Sequence, residues 1–157
     1  MNPGVSTLQL FAHSDGPARP ARLGDLLVRK GLITDAQLTQ ALTESRTTGE
    51  LVGQVLLRHR WVFEDELART LAQQWSLPYL NLLSVGVDWG AAQLLPAEVG
   101  RRMAAIPVRF LGAGVQVAFA DPSDETTVEA VQQHVGPVSL AVAELSHIEL
   151  LWNRVKS

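Results

Sequence analysis

The sequence contains no cysteine, which excludes a disulfide scaffold, a zinc ribbon and thiol chemistry and fits a reducing compartment. Charge is sparse too. Charged residues make up 18% of the 157 positions, the formal net charge is −3 and the pI is near 5.8. No basic surface of the kind that holds a nucleic-acid polymer follows from that balance; only short clusters such as Arg101-Arg102 and Arg58-His59-Arg60 run against it. No apolar run reaches the roughly 18 residues of a membrane-crossing helix, so membrane insertion is not expected. Met1 to Pro20 has neither a basic n-region nor a continuous apolar core and does not read as a signal peptide. The expected setting is cytoplasmic.

Motifs of catalysis are missing as well. A phosphate-cradling loop needs spaced glycines followed by Lys and Ser or Thr, and Gly112-Ala113-Gly114 has no lysine after it. The four histidines, His13, His59, His134 and His147, show no metal-ligand spacing. No serine lies in a Gly-x-Ser-x-Gly elbow. The acids Glu64-Asp65-Glu66 and Asp124-Glu125 stand where first-turn carboxylates favour a helix dipole, a commoner role than acid–base catalysis. The reading is a binding protein, with no catalytic residue, no metal and no cofactor.

What the chain does have is apolar residues, 46% of the total, in helical spacing. Residues 1–20 read as a mobile tail with one apolar patch, Leu8 to Phe11. From Arg22, Leu23, Leu26 and Leu27 mark a short helix ending at Gly31. Thr34 and Gln37 form a capping box that opens a second helix, with Leu38, Ala41 and Leu42 on its apolar stripe. The pattern then repeats without a gap at an offset of 29 residues: Leu23 falls on Val52, Gly24 on Gly53, Leu27 on Leu56, Leu38 on Leu67 and Leu42 on Leu71. A tandem helix–helix unit accounts for this, because neither copy buries its stripe alone.

After Gln74, Leu77–Leu82 reads as an extended connector broken by Pro78. Pro96 opens a short helix over 97–103, and 106–111 and 115–120 read as strands joined at Gly112-Ala113-Gly114. A helix runs from Asp124 to about Val135, 137–143 forms a third strand, and Ser146 with Glu149 caps a last helix. The predicted fold class is α/β of the mixed α+β kind: a tail over 1–20, a helical tandem repeat over 21–83, and a small strand–helix unit over 84–157.

The copies RLGDLLVRKGLITDAQLTQALTES and LVGQVLLRHRWVFEDELARTLAQQ, separated by the five-residue spacer Arg46–Glu50, resemble the MshEN family, the N-terminal domain of type II secretion and type IV pilus assembly ATPases. That family's motif is Arg-Leu-Gly, spaced aliphatics and a final Gln, twice over, and members that keep it bind cyclic di-GMP. The Ala120-Asp121-Pro122 stretch after a strand is similar too, so the resemblance covers about residues 21–155. Ser45 stands where copy one should end in Gln, Leu51 where copy two could have Arg, and Arg60 where a glycine is expected. The ATPase modules that normally follow are missing, which reads as a free-standing or truncated module.

The resemblance implies a dinucleotide site across the two copies. Gly24 and Gly53 would let backbone N–H groups approach a phosphate. Arg22 would grip guanine O6 and N7. Leu38, Leu42, Leu67 and Leu71 would bed the bases, and Leu23 and Val52 belong to the same ligand-binding set; Gln74 would offer its amide, and Asp121 would close the site. Each has a plainer reading: the leucines as hairpin core, Arg22 as a solvated helix start, Asp121 as a turn acid before proline. Two functions follow. One is a cyclic di-GMP receptor that regulates a secretion or pilus-type machine through a protein partner. The other is a ligand-free docking adaptor of such a machine.

Overall fold

A computed structural model describes residues 22–154. The expected tail, with its Leu8–Phe11 patch and His13, lies outside the described residues. Four helices come first: α1 (Leu23–Arg29), α2 (Asp35–Thr48), α3 (Val52–Arg58) and α4 (Glu64–Gln74). Two helical turns follow, α5 (Leu82–Val85) and α6 (Trp89–Ala92), then α7 (Ala97–Met103). The remainder is β1 (Ala105–Leu111), β2 (Gly114–Phe119), α8 (Glu125–Val135), β3 (Val138–Val142) and α9 (Leu145–Arg154).

The repeat is real in three dimensions. Arg22 and Leu51, the N-caps of α1 and α3, share φ −67° and ψ 147°. The next caps, Thr34 and Phe63, agree within a few degrees, at φ −94°, ψ 164° and φ −92°, ψ 157°. The same three positions are buried in each short helix, Gly24, Leu26 and Leu27 against Gly53, Val55 and Leu56. α2 starts with the expected reciprocal cap, Thr34 Oγ1 accepting from the Gln37 N–H and Gln37 Oε1 from the Thr34 N–H. In copy two Phe63 has no acceptor to offer, so only the return half survives, the Phe63 N–H donating to Glu66 Oε1.

A three-stranded sheet, ordered β1-β2-β3, carries the second half. β1 and β2 form an antiparallel hairpin, and α8 carries the chain across so that β3 lies parallel to β2. Asp124 caps α8 by accepting from the N–H groups of Thr126 and Thr127. Trp152 of α9 is buried, with Nε1 donating to the Ala105 carbonyl. Its ring leaves no room at Gly100, where an added Cβ would come within 2.2 Å of it.

Two apolar cores result. One joins Leu27, Ile33, Ala41, Val55, Leu56 and Leu71 of the repeat, and also includes Val142 of β3. The other lies around Ile106, Val117, Phe119, Ile148 and Trp152. Burying such sets of aliphatic side chains is the main favourable term in folding, at roughly 25 cal/mol per Å² of apolar surface.

Two expectations need correction. The connector is extended only at its start, where Leu80 N–H donates to the Val142 carbonyl and Val142 N–H to that of Pro78; Asn81 then caps the turn α5. The last helix begins at Leu145, so Ser146 lies inside its first turn. No box with Glu149 forms there; the Ser146 N–H and hydroxyl both donate to the Glu64 carboxylate of α4, because a carboxylate across the gap can satisfy two donors at once. Among the described residues no helix is long and apolar enough to cross a membrane.

Candidate ligand-binding site

A recess of about 330 Å³ opens where the second helix pair meets the turn after β2. Seven of the eleven site residues expected from sequence line it: Leu23, Val52, Gly53, Leu67, Leu71, Gln74 and Asp121. Leu51, Gln54, Trp75, Ala120 and Ser123 complete the wall. Arg22, Gly24, Leu38 and Leu42 do not line it. They belong to the matching face of copy one, and Leu23 reaches across from that copy to the second glycine.

The glycines explain the floor. α3 packs so closely on α4 that a Cβ on Gly53 would lie 3.2 Å from Leu67 Cδ2 and 3.8 Å from Leu23 Cδ2. On copy one a Cβ at Gly24 would fall 2.4 Å from Leu38 Cδ1. Both positions therefore present bare backbone to a leucine of the facing helix. Leu67 and Leu71 are each 8% exposed, whereas Leu42 is 39% exposed, so the second face is the more enclosed.

Polar groups are few and unevenly placed. Asp121 Oδ1 accepts from the Ser123 N–H and hydroxyl, which fixes the carboxylate at the mouth of the recess. Arg22 is exposed at the start of α1, while Leu51, its counterpart, is 60% exposed at the rim. Ser45 turns inward, its hydroxyl donating to the Glu50 carbonyl at 2.5 Å, and so helps close the spacer. Thus one face keeps the arginine and the other keeps the glutamine.

The basic cluster noted at Arg58-His59-Arg60 is largely neutralised. Arg58 pairs with Glu44 and Glu50 at 3.1 and 2.8 Å, and His59 Nε2 lies 2.8 Å from Glu44. The His59 hydrogen bond first, with that of Arg58 adding to it, holds the Glu44 carboxyl below its usual range against the opposing effect of burial. Sequence reasoning missed a second polar knot: Tyr79 donates to the nearly buried Glu144 at 2.6 Å, and Glu144 also faces His147 at 3.5 Å. Its members lie 65 positions apart, so no local motif announces it. Among the described residues no group of three His, Asp or Glu side chains stands close enough to hold a metal ion.

The sequence profile of the MshEN domain matches residues 75–157. The chain belongs to the MshEN domain family. This MshEN domain is 34% identical over 108 residues to the type IV pilus assembly ATPase PilB of Myxococcus xanthus, covering 69% of the chain and 19% of that protein. Identity to PilB of Thermus thermophilus is 36% over 108 residues, covering 68% of the chain and 12% of that protein. A third relative, bacteriophage adsorption protein B of Escherichia coli, is 27% identical over 127 residues, 80% of the chain and 17% of that protein. The chain thus spans less than a fifth of the length of these relatives.

Among solved structures, MshE with cyclic di-GMP (cdg) superposes with a TM-score of 0.76 at 33% identity, covering 87% of this chain and 99% of that one. The N-terminal domain of XpsE gives 0.73 at 24% identity, covering 87% and 94%, and supports the fold.

Proposed function

We propose that this MshEN domain is a receptor for cyclic di-GMP, bound between the tandem repeat, residues 21–83, and the strand-bearing unit, residues 84–157. The observation that carries the reading is the convergence of Leu23, Gly53, Leu67, Leu71, Gln74 and Asp121 on one recess. The likeness to MshE, whose structure contains this ligand, supports it.

The chemistry is suitable. A volume of about 330 Å³ lies at the low end of small-ligand sites, which run from roughly 300 to 1,000 Å³, and suits one half of a cyclic dinucleotide. The other half would lie over Gly24, Leu38 and Leu42. Leucines give a flat apolar bed for purine faces, and Gly53 lets Leu67 and Leu23 of that bed lie close against α3. A carboxylate accepts readily from the adjacent N1–H and N2–H groups of guanine, and adenine lacks that donor pair, so Asp121 would select guanine. Arg22 would grip O6 and N7 from the open side.

In this reading the protein works by binding, not turnover. A ligand touching both α4 and the β2–α8 turn ties two separately cored parts together, and so alters what a secretion or pilus partner meets. Relatives of three lengths and two kinds of name fit a portable module of that sort. A cytoplasmic setting suits a cysteine-free chain. The docking-adaptor reading keeps one observation in its favour, the apolar Leu51 at the rim where a base-gripping arginine would serve better. Calorimetric titration of the purified chain with cyclic di-GMP decides between them: saturable heat supports the receptor, and no heat at millimolar ligand supports the adaptor.

A further inference from the structure

Four of the exposed large apolar side chains of the strand-bearing half lie on β1 or on the segment beside it. Val85 is 60% exposed, Trp89 39%, Phe110 55% and Leu111 42%. The α6 turn lies against the strand, since a Cβ built on Gly90 would stand 3.9 Å from the Phe110 ring. β1 is an edge strand. Its outer side is engaged by one backbone bond among the described residues, Asp88 N–H to the Val108 carbonyl at 2.8 Å. Pro107 blunts the first half of the strand, as edge prolines do, whereas among the described residues no backbone bond reaches the outer side of Arg109–Leu111, whose side chains are exposed.

Two opposite charges flank this apolar edge. Arg109 Nε donates to Oε1 of the buried Gln116 at 2.8 Å, which anchors the guanidinium of an otherwise exposed residue. Asp88 spends one oxygen on the Gly90 N–H. Both line a recess of about 360 Å³ beside β1, and among the described residues neither forms an ion pair.

We propose that this edge pairs with the same edge of a second copy of the chain. An edge strand is its own antiparallel complement, and a closed two-fold contact requires a surface that matches itself. This one does: apolar Phe110 and Leu111 at the centre, one cation and one anion beside them. Arg109 of each copy then meets Asp88 of the other. The patch is short, so the contact belongs with weak interfaces burying less than about 1,200 Å².

Sedimentation velocity on the full chain over a dilution series tests this. The wild type is expected to associate to a dimer towards millimolar concentration and to dissociate on dilution. Arg109→Glu and Asp88→Lys should each be monomeric where the wild type is dimeric. Mixed one to one, they should recover a dimer, because one contact then pairs Glu with Lys and the other keeps Asp with Arg. Asp88→Lys removes the α6 cap, so circular dichroism checks its fold, and Phe110→Ser supplies a monomeric variant that touches no cap. A wild type that stays monomeric at millimolar concentration overturns the proposal. So does a dimer indifferent to the charge reversals, or a mixture that stays monomeric.

Discussion

Glu64, the first residue of α4, caps the first turn of α9 from 82 positions away, its carboxylate accepting from the Ser146 N–H at 3.1 Å and from the Ser146 hydroxyl. A carboxylate at a helix start gains both from charge-assisted hydrogen bonds and from the helix dipole. Because Glu64 belongs to the repeat and Ser146 to the strand-bearing half, the bond also joins the two cores. Glu64→Ala should cost about 1 kcal/mol, the usual loss of an N-cap. Glu64→Gln, which keeps one acceptor, should cost less. Urea denaturation of the three proteins checks the order.

Arg60 is held at φ 61°, in the left-handed region, where copy one has Gly31 at φ 76°. A residue with a side chain pays about 1 kcal/mol or more to stand there. Arg60→Gly should therefore stabilise the chain, by up to about 1 kcal/mol after the greater flexibility of glycine in the unfolded chain is subtracted. Gly31→Arg should do the reverse. Equal melting temperatures for wild type and Arg60→Gly would refute this account.

Tyr79 has its hydroxyl pushed up to about 12 from an ordinary 10.0, by burial first and by its bond to Glu144 second. The folded state thus keeps a proton that the unfolded state releases. Stability is unaffected below pH 10 and falls as the pH rises from there through about 12. The Glu144 carboxylate accepts that proton's bond at 2.6 Å, so ionising Tyr79 would set two anions together. Tyr79→Phe should lose the alkaline component of the stability profile while keeping the rest of its shape. Chemical denaturation at stepped pH, read as the difference between the two proteins, reports it.

Much of this was legible in the sequence because it repeats. The offset of 29 residues put Gly24 on Gly53, and the helices then formed with matching caps and matching buried positions. Strands showed as β-branched runs around Gly112, which takes φ +60° in the hairpin. What the sequence hid are contacts made at long range. Neither Glu64 with Ser146 nor Tyr79 with Glu144 has a local signature, and the Ser-x-x-Glu spelling at 146 pointed to a box that the folded chain does not make. The site divides the same way. Its floor came from repeat positions, whereas Leu51, Gln54 and Trp75 join the wall because α3, α4 and the turn after β2 converge, which no spacing reveals.

The sharpest prediction concerns the two helix starts. Arg22 and Leu51 occupy N-caps with the same φ and ψ, so a side chain at 51 leaves the backbone in the direction that Arg22 does on copy one. If Arg22 grips a guanine edge, Arg22→Ala should weaken cyclic di-GMP binding by about 5- to 150-fold, the worth of a bidentate base contact of roughly 1–3 kcal/mol. Arg22→Lys should not restore it, because a point charge cannot fork onto O6 and N7. Ser45→Gln should leave affinity equal or raise it. Leu51→Arg should raise it, since that residue is 60% exposed at the rim and its replacement disturbs no core. Titration calorimetry measures all four variants. A ligand that binds Arg22→Ala as tightly as the wild type does not use copy one's helix start. A Leu51→Arg variant that gains nothing would mean that the second base edge lies elsewhere in the recess, with Gln74 and Asp121 the residues to vary next.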